Sequence, residues 1–364
     1  MRPRLTWLTR ILAIIALLAT FGATPGLAES NADGVVYTLT NAAAGNRVLV
    51  FDRGADGTLT AAGSVATGGN GGALGSQGAL AMSGDRHWLY AVNAGSNTIS
   101  MFSVDQGNAL TLTDVVASGG RDPNSLTASG DIVYVLNAGG TPNISGFTRT
   151  GGHLSAIPGS TQPLGRSDAG AVEVAFAPSG RVLVVSDKAA NRIETFVIDA
   201  HGVAGVPNIF ASSGPAPFGF DFGKHDTVIF SEAASVPAGS SSASSYTLTS
   251  DGTLSAVSAS ISTTQGAACW LVVSQNGRWA YTANAASGSL SLFAIAKDSG
   301  ELTRQNATAA SGLAHPTDMA FTDNDHMLYV LAAGSIAGYR VDPDGTLTWI
   351  SNTPMAGVAG LIAR

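Results

Sequence analysis

Short apolar stretches, separated by polar and glycine-rich turns, run the length of the chain, and none keeps a 3.6-residue period long enough for a helix. The clearest unit covers residues 78–120. Segments 78–83 (GALAMS), 89–92, 98–104 and 109–117 read as four strands, with Gly84-Asp85-Arg86 and 93–97 as turns between them. A meander of this kind has two apolar faces that it cannot bury alone. Copies must therefore stack on one another, and a spacing in the forties is the period of propeller blades.

Seven copies of the second strand can be counted, at 35–40, 89–92, 133–136, 183–186, 228–231, 280–283 and 328–331. The strand after each carries an aliphatic residue with an aromatic three positions on: Val48 and Phe51, Ile99 and Phe102, Ile144 and Phe147, Ile193 and Phe196, Leu290 and Phe293, Ile336 and Tyr339. The fifth copy keeps only Tyr246. A separation of three places the two side chains on opposite faces of a strand, so both faces must be covered. Asp56-Gly57, Asp251-Gly252 and Asp344-Gly345 mark tight hairpins before outer strands and read as turns, not sites. The Asn, Asp or Glu after each second strand (Asn41, Asn93, Asn137, Asp187, Glu232, Asn284) likewise reads as turn chemistry.

The first copy lacks an innermost strand, and the last is followed by the spare apolar segment 357–363. The pattern predicts an all-β, seven-bladed β-propeller of four-stranded antiparallel blades, its ring closed when the C-terminal strand completes blade one. The blades are expected at 34–67 plus 357–363, 77–118, 123–158, 171–212, 217–260, 268–310 and 316–353. Three irregular segments, 67–77, 162–170 and 235–245, escape the repeat and are expected to be surface loops around the propeller faces.

Composition refines this picture. Arg2, Arg4 and Arg10, the apolar run 11–21 and Gly26-Leu27-Ala28 have the layout of a Sec-type signal peptide over residues 1–28, leaving 29–364 as the mature propeller, periplasmic or extracellular. Cleavage removes three arginines and no acid, which deepens the formal net charge of −7 to −10. With no basic cluster, nucleic acid is not an expected partner, and no segment is long and apolar enough to span a membrane. The single cysteine, Cys269, excludes an internal disulfide framework. The six histidines show no ligand spacing, so neither a metal nor another cofactor is expected. The expected state is a monomer.

The motifs LYAVNAGSNTISMF, APSGRVLVVSDKAANRIETFVID and QNGRWAYTANAASGSLSLFAI resemble the seven-bladed lactonase family, which includes 6-phosphogluconolactonase-like enzymes and fungal carboxymuconate lactonizing enzymes. The resemblance covers 35–364 and implies a small-molecule lactone or sugar-derived ligand at the central channel. Family members carry His and Arg in the segments leading into the innermost strands. Here those segments read Gly75-Ser76-Gln77-Gly78, Arg121-Asp122-Pro123-Asn124, Asp168 to Glu173, Pro215-Ala216-Pro217-Phe218, Ala267-Ala268-Cys269-Trp270 and His315-Pro316-Thr317-Asp318, without the Pro-Arg-His signature in the fifth and sixth blades.

Opening a lactone needs a base for water and a donor or cation for the developing oxyanion. Glu173, which interrupts an apolar inner strand, is the candidate base, and His315 or Arg121 the group that polarises the carbonyl; Arg166 is a further lone cation. Gln77, Asn124, Phe218, Cys269, Trp270 and Asp318 are the candidate substrate-binding residues. Export and the absence of a basic cluster favour an unphosphorylated lactone. A muconate-type cycloisomerase ranks lower, and the competing reading is a non-catalytic exported propeller that binds a ligand or a protein on one face.

Overall fold

A computed structural model describes residues 32–355 and 358–364. The expected signal peptide lies outside the described residues. Blade one is the sheet β29 (Ala359–Ala363), β1 (Gly34–Leu39), β2 (Arg47–Arg53), β3 (Leu59–Ala66), ordered from the channel outward. Blade two is β4 (Leu80–Met82), β5 (Trp88–Asn93), β6 (Thr98–Val104), β7 (Leu110–Ala117). Blade three is β8 (Arg121–Ser129), β9 (Ile132–Gly139), β10 (Asn143–Thr150), β11 (His153–Ala156), with β12 (Gln162–Pro163) also paired to β10. Blade four is β13 (Ala171–Phe176), β14 (Val182–Asp187), β15 (Arg192–Val197), β16 (Asn208–Ala211).

Blade five is β17 (Pro217–Phe222), β18 (Thr227–Glu232), β19 (Ser242–Leu248), β20 (Leu254–Ser262). Blade six is β21 (Ala268–Val273), β22 (Trp279–Asn284), β23 (Ser289–Ile295), β24 (Leu302–Ser311). Blade seven is β25 (Thr317–Phe321), β26 (Met327–Ala332), β27 (Ser335–Val341), β28 (Leu347–Pro354). All pairings are antiparallel, and β29 pairs with β1 through Val36–Ala363, Tyr37–Ile362 and Thr38–Leu361. The C-terminal strand thus closes the ring, as the unpaired apolar segment at the end of the chain predicts.

The core lies between blades. The aliphatic and aromatic members of the three-residue pairs, such as Ile193 with Phe196 and Leu290 with Phe293, are fully buried on opposite faces. A tyrosine in the second strand then latches a blade to its neighbour. The hydroxyls of Tyr37, Tyr134, Tyr281 and Tyr329 donate to the carbonyls of Asn108, Gly202, Gly345 and Gly57, at 2.5 to 2.7 Å, each in the hairpin of the next blade. Blade four lacks the tyrosine, and Thr195 Oγ1 serves instead by donating to Gly252 O at 2.6 Å. The Asp-Gly hairpins are therefore docking points as well as turns.

The polar residues that end the second strands also do more than turn the chain. Asn93, Asn137, Asp187, Glu232 and Asn284 are fully buried. Asn93 Nδ2 donates to Ser100 Oγ and Asn137 Nδ2 to Ser118 O, while Asp187 Oδ1 accepts from Gly170 N, so these side chains tie the crossing loops to the blades. Glu232 accepts from Gly214 N and from the hydroxyls of Ser242 and Ser244, which occupies its carboxylate.

Candidate functional site

The innermost strands turn an unpaired backbone edge toward the channel, and those N–H groups need acceptors. Side chains of the preceding blade supply them. Ser125 Oγ on β8 accepts from Val174 N, Glu173 Oε2 on β13 from Phe220 N at 2.7 Å, and Asp221 Oδ2 on β17 from Val273 N at 2.8 Å. On β17 the relay holds at Asp221 but fails for Leu271 N, because Gly219 has no side chain to offer. Gln77, brought across the channel by the glycine-rich connector from blade one, fills the gap: its Oε1 accepts from Leu271 N at 3.0 Å and its Nε2 donates to Leu271 O at 2.7 Å and Phe220 O at 3.3 Å. A Cβ at Gly219 would collide with Gln77 Oε1.

The connector that carries Gln77 is packed against the propeller. At Gly71 a Cβ would strike the backbone of Asn41, so only glycine lets the chain run so close. Next to Gln77, Ser76 O accepts from the Trp270 indole N–H at 3.0 Å, and Ser76 Oγ donates to Asn124 O at 2.7 Å. Asn124 sits at the bulge that opens β8; its Nδ2 donates to Ala171 O, while its Oδ1 is buried without a partner among the described residues. Gln77, Asn124, Glu173 and Trp270 are thus joined at one end of the channel through Ser76 and the backbone of Phe220.

Phe218 and Trp270 lie beside this network with ring centroids 5.2 Å apart, and the Lys188 ammonium stands 5.1 Å from the Phe218 centroid. Cys269, half-buried and packed against the cluster that holds Phe218 and Trp270, has its thiol pushed up to about 11 by burial, partly offset by Lys188. It is a neutral thiol at physiological pH, which is unsuited to nucleophilic attack.

Three channel carboxyls are raised. Burial lifts Glu173 well above the usual carboxylate range, aided by the charges of Asp221 and Asp318, against the Phe220 N–H that favours the ionised form. Asp221 is pushed up to about 6 and Asp318 to about 7, both chiefly by burial. Glu173 and Asp318 are each 5% exposed, and Asp318 Oδ1 accepts from Met319 N at 2.9 Å. Among the described residues no three His, Cys, Asp or Glu side chains gather closely enough to hold a metal ion.

Other residues named from the sequence lie apart from this network. His315 and Arg121 are exposed, His315 with a left-handed φ of +49°, and neither forms an ion pair or side-chain hydrogen bond with another described residue. Arg166 is tied to Asp168 by two 2.6 Å bonds on the connector before blade four. Asp221 and Lys188 complete the site without having been named as site residues. Asp221 interrupts the aromatic strand Phe218-Gly219-Phe220-Asp221-Phe222 just as Glu173 interrupts its own strand, and that signal could have found it.

The fold and its channel end define a closed, seven-bladed propeller with buried acids on its innermost strands and a packed Phe218–Trp270 pair at one end. A family model described as "Lactonase, 7-bladed beta-propeller" matches residues 31–162 and 173–363, and the chain belongs to that lactonase family. The break between the matched segments falls on the connector before blade four.

Solved structures share the fold. A proposed 6-phosphogluconolactonase of Bacteroides fragilis is 18% identical, covers 92% of this chain and 99% of its own, and superposes with a TM-score of 0.71. The periplasmic gluconolactonase PpgL of Pseudomonas aeruginosa is 17% identical over 90% of this chain and 99% of its own, with a TM-score of 0.66. A hypothetical selenium-binding protein of Sulfolobus tokodaii reaches a TM-score of 0.68 at 11% identity, covering 92% and 94%. Likeness at these identities establishes the fold alone. No curated protein matches the chain.

Proposed function

We propose that this protein is an exported lactonase that opens a small, unphosphorylated lactone at the channel end. The observation that carries the reading is the junction of Gln77, Asn124, Glu173 and Trp270 at one end of the channel, with the Lys188 ammonium 5.1 Å from the Phe218 ring packed against Trp270 and the carboxyls of Glu173 and Asp318 raised by burial. A lactone ring has an apolar face suited to an aromatic surface and a carbonyl suited to a cation. Lys188 would polarise the carbonyl as water adds to it. Asp318, poised near neutrality, would take the proton from water. Glu173, whose burial favours the protonated carboxyl, would then serve better as the acid that delivers a proton to the departing ring oxygen than as the base. His315 and Arg121, exposed at the rim, would contact the substrate only from outside.

A lone ammonium is a weak grip for a phosphate, which favours an uncharged substrate. The test compares glucono-1,5-lactone with its 6-phospho form. Preference for the uncharged lactone, with turnover cut at least about tenfold in Lys188→Ala, is the expected result; preference for the phosphorylated form would overturn it.

The second reading is a non-catalytic propeller that binds its ligand on this face, and Gln77 is what favours it, because its bonds to Leu271 and Phe220 commit its amide to the backbone of blades five and six rather than to a reacting group. Saturable binding of gluconate or a lactone without turnover would select it.

A further inference from the structure

We propose that the cleft between the outer strands of blades six and seven binds a neutral sugar ring, one unit of a glycan chain. Two cavities, of about 410 Å³ and about 370 Å³, open along this one interblade cleft, sizes that suit small ligands. Its central feature is Trp349, 62% exposed on β28.

A β-bulge builds the wall. Trp349 pairs with Tyr339 and Ser351 with Gly338, which leaves Ile350 as the extra residue. Ile350 turns to blade one, where its Cδ1 lies against Gly57. Trp349 and Asn352, three apart, therefore face the same side, toward blade six, and both line the larger cavity with Tyr339. The opposite wall there is made of 311–314 and 332–335, all small residues but Leu313, whose backbone stays within reach. In the other cavity, Gln305, Asn306 and Thr346 supply amide and hydroxyl groups.

Charge decides the ligand class. The one carboxylate among the described lining residues, Asp344, is engaged by Thr346 N at 3.0 Å and Thr346 Oγ1 at 2.7 Å, and among the described residues no Lys, Arg or His lines either cavity. An anion would find no cation, and a cation would find only an occupied acid. What remains is a flat aromatic face flanked by amides, hydroxyls and a phenol. That is the chemistry of a polyhydroxylated ring, whose C–H face covers the indole while its hydroxyls meet the amides. The site is separate from the channel end and does not depend on the lactonase reading.

The experiment titrates the protein with maltoheptaose, cellopentaose and chitopentaose, following heat and tryptophan fluorescence. At least one sugar is expected to saturate, with a Kd of about 1 mM or tighter and a change in fluorescence. Trp349→Ala should weaken that binding by about tenfold, Trp349→Phe should retain most of it, and Asn352→Ala should weaken it a few-fold, roughly one hydrogen bond. Since Trp349 is largely exposed, its replacement leaves the fold intact, and lactone turnover in Trp349→Ala should match the parent. No saturable signal with any of the three sugars at 10 mM (about tenfold above that Kd), or binding unchanged in Trp349→Ala, would overturn the proposal.

Discussion

Gln77 and Glu173 both hold the backbone of Phe220: Glu173 accepts from its N–H, and Gln77 Nε2 donates to its carbonyl. Each side chain therefore completes a backbone edge that no sheet partner reaches. Replacing Gln77 with Ala would strip Leu271 N–H of its buried acceptor, and the expected loss is about 2 kcal/mol in urea unfolding. Glu173→Gln should cost far less, because an amide oxygen can still accept from Phe220 N. The sequence marks Glu173 clearly, since an acid amid Val and Ala on an inner strand is conspicuous. Its partner 47 residues on, and Gln77's partner 194 residues on, follow only from how the ring brings blades together, which no local pattern encodes. Lys188 was equally hard to read, because its relation to Phe218 joins two different blades.

At the level of elements, the blades hold one another through tyrosine latches and the ring through one strand. Tyr329 donates from blade seven to Gly57 of blade one, across the closure itself, so Tyr329→Phe should cost about 1 kcal/mol, read as a lower urea midpoint at unchanged slope. Removing residues 359–364 would do more. It exposes the β1 edge, takes Leu361 and Ala363 from the core beside Val36, and removes the Arg364 carbonyl that accepts from Arg53 Nε at 2.8 Å. Early melting with aggregation is expected, and unchanged melting would refute the closure as a source of stability.

The blade count and the closing strand were legible because the aliphatic–aromatic pairs repeat and one apolar segment is left over. β4 is shorter than segment 78–83 suggests, since Gly78, with a φ of +78°, gives its carbonyl to Leu126 N of blade three rather than to β5. The Asn and Asp clamps were readable as positions but not as buried groups, because burial comes from the loop that crosses over them.

For the molecule as a whole, the channel acids couple stability to pH. Glu173, Asp221 and Asp318 hold their protons more tightly folded than unfolded, where carboxyls titrate near about 4. The stability they contribute is full below that value and is lost as pH rises through about 6 to 7 and beyond. The urea midpoint should therefore fall between pH 5 and pH 8, and Asp318→Asn should flatten the fall; a midpoint that rises over this range would contradict the burial of these groups.

The most direct test of the central claim is hydrolysis of a panel of uncharged lactones, including glucono-, galactono- and acyl-homoserine lactones, by the purified protein beside Glu173→Gln. The account predicts turnover of at least one lactone above buffer and a loss of about a hundredfold or more in the variant. No turnover by the folded parent protein, or equal turnover by both, would contradict it.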